Sequence, residues 1–153
     1  MIERSLDYDL IREIVTDERI YRVTSDDLAP EPDMIRIPAS EDIVYLLARD
    51  DGHTLGFAMF NPVNGVTYEA HICFLRCAYG AKAKAAFAQM LAWMWSWTIA
   101  ERICGAIPDY NRLAIAFCKR IGFGEYGVNP QSWLKNGRLH DMVMLGISRP
   151  KTI

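Results

Sequence analysis

The stretch that most constrains the fold runs from residue 42 to residue 76, "DIVYLLARDDGHTLGFAMFNPVNGVTYEAHICFLR". Three runs rich in β-branched and aromatic residues are separated by two turn signals, "DGHT" at 51–54 and "NG" at 64–65. Connections this short leave no room for a crossover, so the three runs are expected to pair antiparallel as a meander. In the third run the two-residue period of a strand puts Glu69, His71 and Cys73 on one face. Tyr68, Ala70, Ile72 and Phe74 then share the other.

The chain turns at "CAYGAKA" and enters a helix over about 81–100, rich in Ala, Met, Leu and Gln. "RICGAIP" reads as a short buried strand and "DYNRLAIAFCKRI" as a second helix. "GFGEYGVNPQSWL", "NG" and "RLHDMVMLGIS" read as a closing hairpin. A helix between two strands is a crossover, so the strands on either side of the long helix are expected to be parallel neighbours. The expected class is mixed α/β. Ahead of the meander, Leu6, Leu10, Ile14 and Val15 recur at three- and four-residue steps or next to one, which predicts one or two amphipathic helices. The Pro-rich "LAPEPDMIRIPASED" that follows is expected to be irregular. No repeat or linker interrupts the 153 residues, a length that suits one domain with its own core.

Charge and cysteine content narrow the function. Seventeen basic against nineteen acidic residues leave a net charge of -2, without the positive footprint of a nucleic-acid binder. The cysteines at 73, 77, 104 and 118 form no C-x-x-C pair, and with three histidines they suggest neither a zinc cluster nor a disulfide framework. Reduced, mostly buried thiols fit a cytoplasmic protein, and "MIERSLDYD" has no apolar signal-peptide core. "AAFAQMLAWMWSWTIA" at 85–100 is apolar nearly all round but shorter than the roughly 20 residues of a membrane span, so burial or a subunit contact is expected.

Two segments have the residue types of a cofactor site. In "RCAYGAKAKAAF" a glycine stands just before a helix, where first-turn N–H groups and the helix dipole suit a diphosphate, and Arg76, Lys82 and Lys84 add positive charge. The same features also serve as ordinary turn chemistry and a solvated helix face. In "PDYNRLAIAFCKRIGFGEYG", Asp109 or Asn111 can cap a helix whose core face is Ala114, Ile115 and Phe117, closed by Gly122.

Taken together, in this order, the segments resemble those of the GCN5-related N-acetyltransferases. "YNRLAIAFCKRIGF" is similar to that family's segment in which an Asn opens a helix, a small residue follows three later, and Gly-Phe begins the next strand. "RCAYGAKA" is similar to a loosened Q/R-x-x-G-x-G/A pyrophosphate loop, with three residues between Arg76 and Gly80 rather than two and Ala83 in place of the second small residue. "NGRLHDMVMLGISR" resembles the last hairpin of members that acetylate protein N-termini and small amines. The likeness covers roughly 45–149, and some small phage and prophage proteins share it.

The resemblance implies a single domain over 1–153, with a variable helical part at 1–40 and a cofactor-binding core at 41–149. Its sheet would mix antiparallel and parallel strands and have helices on both faces. Acetyl-CoA would lie in a V-shaped gap between the two parallel strands. Phe74, Leu75 and Arg76 would hold its pantetheine arm, Gly80, Ala81, Lys82 and Ala83 its diphosphate, and Asn111 would bond the arm from the second helix. Glu69 is the first candidate for the base that takes the amine's proton, with His71 one step away on the same face. Cys118 stands where many members have a tyrosine that protonates the departing thiolate; Tyr79, Tyr110 and Tyr126 are other hydroxyls. His140 and Asp141, beside the last turn, are candidate substrate contacts or surface polar residues.

The implied function is acetyl-CoA-dependent transfer to an amine: a protein N-terminus, a lysine or a small amine. Neither nucleic acid nor membrane is expected as a partner. A different class is also open, a catalytically degenerate structural protein such as a virion or assembly component that meets copies of itself or other proteins, in part through Trp93, Trp95 and Trp97. A module that binds CoA thioesters without turnover lies between the two.

Overall fold

The structure, a computed structural model, describes residues 1–151. Strand β1 (Ile2–Arg4) precedes helices α1 (Tyr8–Val15) and α2 (Glu18–Thr24). An irregular stretch with a single 3-10 turn at Pro32–Met34 leads to β2 (Val44–Asp50), β3 (His53–Pro62) and β4 (Thr67–Phe74). Helix α3 (Ala81–Trp97), β5 (Arg102–Pro108), α4 (Arg112–Arg120), β6 (Gly124–Lys135) and β7 (Arg138–Ser148) complete the chain. The sheet order is β1-β2-β3-β4-β5-β7-β6, and β4–β5 is its one parallel pair.

Local chemistry accounts for most of these elements. Asp51 (φ 46) and Gly52 (φ 79) form the β2–β3 turn, and Asn136 (φ 51) and Gly137 (φ 71) the β6–β7 turn; both pairs are left-handed, as tight hairpins require. The "NG" at 64–65 behaves differently. Asn64 Oδ1 accepts from the N–H of Val66 (3.0 Å) and Thr67 (2.9 Å), so its side chain closes a wider loop instead of its backbone forming a two-residue turn. Asp7 and Asp17 cap α1 and α2, and Asn111 caps α4.

Two cores sandwich the sheet. On one face α3 and α4 cover Leu46, Ala58, Phe60, Phe74 and Ile103, with Phe87 fully buried among Phe60, Phe117 and Phe123 at ring distances of 6.1 to 6.3 Å. On the other, Ile11, Ile14 and Ile20 of α1 and α2 bury Tyr45, Leu47, Phe57 and Cys73. Helices therefore lie on both faces, as the resemblance implies. Within α3 the tryptophans diverge: Trp93 and Trp97 stack at 6.4 Å, while Trp95 lies beneath the Arg149 guanidinium. Among the described residues no helix is long and apolar enough to cross a membrane.

Strand β1 is an addition to the sequence reading, which placed only helices ahead of residue 28. It pairs with β2 from Ile2↔Ala48 to Arg4↔Leu46. Three residues are too short a run to show a strand period.

Candidate active site

The parallel pair is brief. Thr67, Tyr68 and Glu69 of β4 match Arg102, Ile103 and Cys104 of β5, after which β5 follows β7 as far as Pro108↔Met142. On its other side β4 is bonded to β3 through odd-numbered residues: Leu75 N–H donates to Leu55 (2.8 Å), and the Thr67 carbonyl accepts from Val63 (2.8 Å). By the alternation of an antiparallel ladder, the even-numbered residues turn their N–H and C=O groups towards β5. Past the level of Ala70 and Gly105, where a Cβ on Gly105 would touch the Ala70 carbonyl at 3.4 Å, no strand partner meets them. The N–H groups of Ile72 and Phe74 are thus aimed into a wedge between the strands, and backbone groups so placed call for a ligand.

At the end of β4 the 3-10 turn Arg76–Ala78 leads to Gly80, whose φ of 88 and ψ of -130 strain any residue with a side chain. Nothing lies within 4 Å of where its Cβ would be, and α3 has no side-chain cap. Lys84 N–H is the first to return to the helix, bonding the Gly80 carbonyl at 3.2 Å. The N–H groups of Ala81, Lys82 and Ala83 precede that bond and suit an anion at the helix's positive end. The backbone therefore fits a diphosphate.

The side chains of this segment are engaged elsewhere. Lys82 Nζ pairs with the Asp50 carboxylate at 2.8 Å; that contact holds the Asp50 carboxyl below its ordinary range and raises Lys82. Ala83 is buried against the sheet, and the Phe74 ring meets Phe117 edge-on at 6.1 Å in the core. Leu75 uses its N–H on Leu55, and Arg76 is exposed. Asn111 accepts from Ala114 N–H at 3.3 Å, so its side-chain oxygen caps α4.

Glu69 and His71 meet on the open face, His71 Nε2 3.6 Å from Glu69 Oε2, with side chains 37% and 53% exposed respectively. Cys73, next along that face, is covered by α1 and α2, and burial pushes its thiol up to about 12. Cys118, on α4, points into the core on the opposite face of the sheet, where burial raises its thiol to about 11. The structure brings Glu69 and His71 together and does not bring Cys118 to them.

Long-range contacts build a wall beside this face. At the tip of the β6–β7 hairpin, the Asp27 carboxylate accepts from Asn136 (2.7 Å) and Gly137 (2.8 Å), while Lys135 Nζ donates to the Ser25 carbonyl at 2.6 Å. Tyr110 donates its hydroxyl to the Val23 carbonyl (3.2 Å) and accepts from Trp133 Nε1 (3.0 Å). His140 Nδ1 stands 2.8 Å from Asp109 Oδ1, a contact that lowers the Asp109 carboxyl. The sequence marks out His140 and Tyr110, but joining them to Asp109 and Trp133 requires the register of β7 against β5 and β6. Asp27 carries no signal of its own beyond its type.

A sheet parted at the parallel pair β4–β5, with an anion-ready helix start just beyond β4 and an acid lower on the same strand, suits transfer from a cofactor that carries a diphosphate. The chain belongs to the acetyltransferase (GNAT) family, whose model matches residues 8–123. The match begins well before the motif likeness at residue 45 and so takes in α1 and α2. No curated protein matches the sequence. Among solved structures it is similar to a ribosomal-protein-alanine N-acetyltransferase from Brucella melitensis: 17% identity, 97% of this chain and 99% of that one covered, TM-score 0.73. It is also similar to a spermidine N-acetyltransferase from Vibrio cholerae solved with CoA and spermine: 14% identity, coverage of 97% and 94%, TM-score 0.79. At such identities these two likenesses speak for the fold. Family membership makes acetyl-CoA the co-substrate and an amine the acceptor, and it favours the enzyme over a degenerate structural protein.

Proposed function

We propose that this N-acetyltransferase works at the wedge between β4 and β5, with Glu69 as its base. The observation that carries this reading is the position of Glu69 at the last paired level of β4, on the open face and just before the strands part. Bound acetyl-CoA supplies the activated acetyl thioester. The Ile72 and Phe74 N–H groups orient and polarise its carbonyl, and the Gly80 turn with the start of α3 holds its diphosphate. The amine reaches Glu69 from the open face. A carboxylate oxygen of Glu69 takes the amine's proton, directly or through one water, with the His71 imidazole 3.6 Å away beside it, while the carbonyl carbon gains the nitrogen and CoA leaves as thiolate.

Cys118 serves the core in this reading. Burial leaves its thiol a poor proton donor, and CoA departs as a thiolate that does not need a proton from it.

Glu69→Gln is expected to lower kcat by about 100-fold or more with acetyl-CoA affinity retained in calorimetry. Cys118→Ala is expected to keep turnover within a few-fold. Full turnover in Glu69→Gln would remove Glu69 from the role.

A further inference from the structure

Arg102 shares the open face with Glu69 and has no ion pair among the described residues, whereas Arg49 and Arg149 each meet a glutamate. It opens β5 opposite Thr67, one step below the Glu69–Cys104 level, but its guanidinium does not stay there. It lies across β7 against the bare backbone of Gly146, where a Cβ would collide with it, donates from Nη1 to Ser148 Oγ at 3.1 Å, and sits 5.2 Å from the centre of the Tyr126 ring. Gly146 pairs with Cys104, and Cys104 with Glu69, so the guanidinium and the Glu69 carboxylate stand at one level two strands apart. Gly146 has no positive φ to explain it. Its missing side chain makes room for the guanidinium.

We propose that Arg102 binds an anionic group on the acceptor, so that the preferred acceptor is an amine carrying a carboxylate a few bonds from its nitrogen. This rests on Glu69 as the base. Two strand spacings are roughly 10 Å. Allowing one hydrogen-bond length at each end leaves roughly 4–5 Å, about the nitrogen-to-carboxylate separation of a short ω-amino acid. A planar fork held by a hydroxyl and an aromatic ring is prepared for a carboxylate in a way that a mobile ammonium is not. A diamine would instead bring its second cation against Arg102.

The test compares kcat/KM for 3-aminopropanoate and 4-aminobutanoate with propylamine, butylamine and 1,4-diaminobutane, with acetyl-CoA binding followed separately by calorimetry. The amino acids are expected to be favoured at least about tenfold over amines of matching length. Arg102→Met should bring that ratio close to one, chiefly through KM for the amino acid, and Arg102→Lys should keep part of it. Gly146→Ala leaves Arg102 in the chain but displaces its guanidinium, so it should lower the ratio as well; melting curves show which variants are folded. Equal or better use of the monoamines or the diamine by the unaltered protein, or a ratio that survives both Arg102→Met and Gly146→Ala, would overturn the inference while leaving Glu69 in place. Failure to bind acetyl-CoA or to acetylate any of these amines would overturn the inference together with the reading of the site.

Discussion

Gly56 shows how tightly the strands beneath the site are set. With φ 151 it sits opposite Phe74, beside the bulge at Ala48/Arg49, and a Cβ there would collide with the Cys73 carbonyl oxygen and the Phe74 backbone. Those are backbone atoms of the strand that forms one wall of the wedge, so relief would have to move β4 itself. Gly56→Ala is therefore expected to cost about 3 kcal/mol or more in urea unfolding, far above a typical surface change. In the sequence Gly56 reads only as one residue of a strand, because its conformation depends on the bulge that its own strand makes at Leu55 against Ala48 and Arg49, which only the pairing of the two strands sets. Glu69 and His71 were legible, since a period of two is enough to put them on one face. The lodging of Arg102 over Gly146 was not, because it joins positions 44 apart in the chain through a strand register that neither segment encodes locally.

Among the elements, the tip of the β6–β7 hairpin is anchored to the first third of the chain by the Asp27 carboxylate, with Lys135 and Trp133 making further contacts beside it. The N–H groups of Gly137 and then Asn136 hold the Asp27 carboxyl below its ordinary value, with Lys135 adding to the effect. A carboxyl lowered by folding adds stability that is fully present above its unfolded value near 3.9 and is lost as pH falls through the folded value. The tip should stay docked at neutral pH and loosen only below about pH 3.9. Asp27→Asn should speed amide exchange at Asn136 and Gly137 at neutral pH by tenfold or more, with little change in the interior of α3; unchanged exchange at Asn136 and Gly137 would mean that Lys135 and Tyr110 hold the hairpin without it. The hairpin was readable from "NG" at 136–137, whose backbone adopts the turn that the signal implies. The same dipeptide at 64–65 did not, since the Asn64 side chain took over the bonding.

Across the whole molecule, chain order fixed the essential feature. A strand, a crossover helix and a returning strand place β4 and β5 side by side and parallel, and that pair holds at only three levels before the strands part. The order of elements predicts the parallel pair and the helix that starts after β4, and the strand period predicts the face bearing Glu69, whereas the gap between the strands is implied by the family resemblance. The resemblance implies pantetheine contacts at Phe74, Leu75 and Arg76; the ladder leaves Ile72 and Phe74 facing the gap and gives the Leu75 N–H to β3. Parity of hydrogen bonding depends on register, and register is settled by the wide Asn64 loop rather than by residue type. The most direct test is a crystal structure of the protein with CoA. The pantetheine arm is expected between β4 and β5 against the Ile72 and Phe74 backbone, with the diphosphate at Gly80 and the first turn of α3. CoA bound anywhere else, or no CoA bound at millimolar concentration, would contradict that placement.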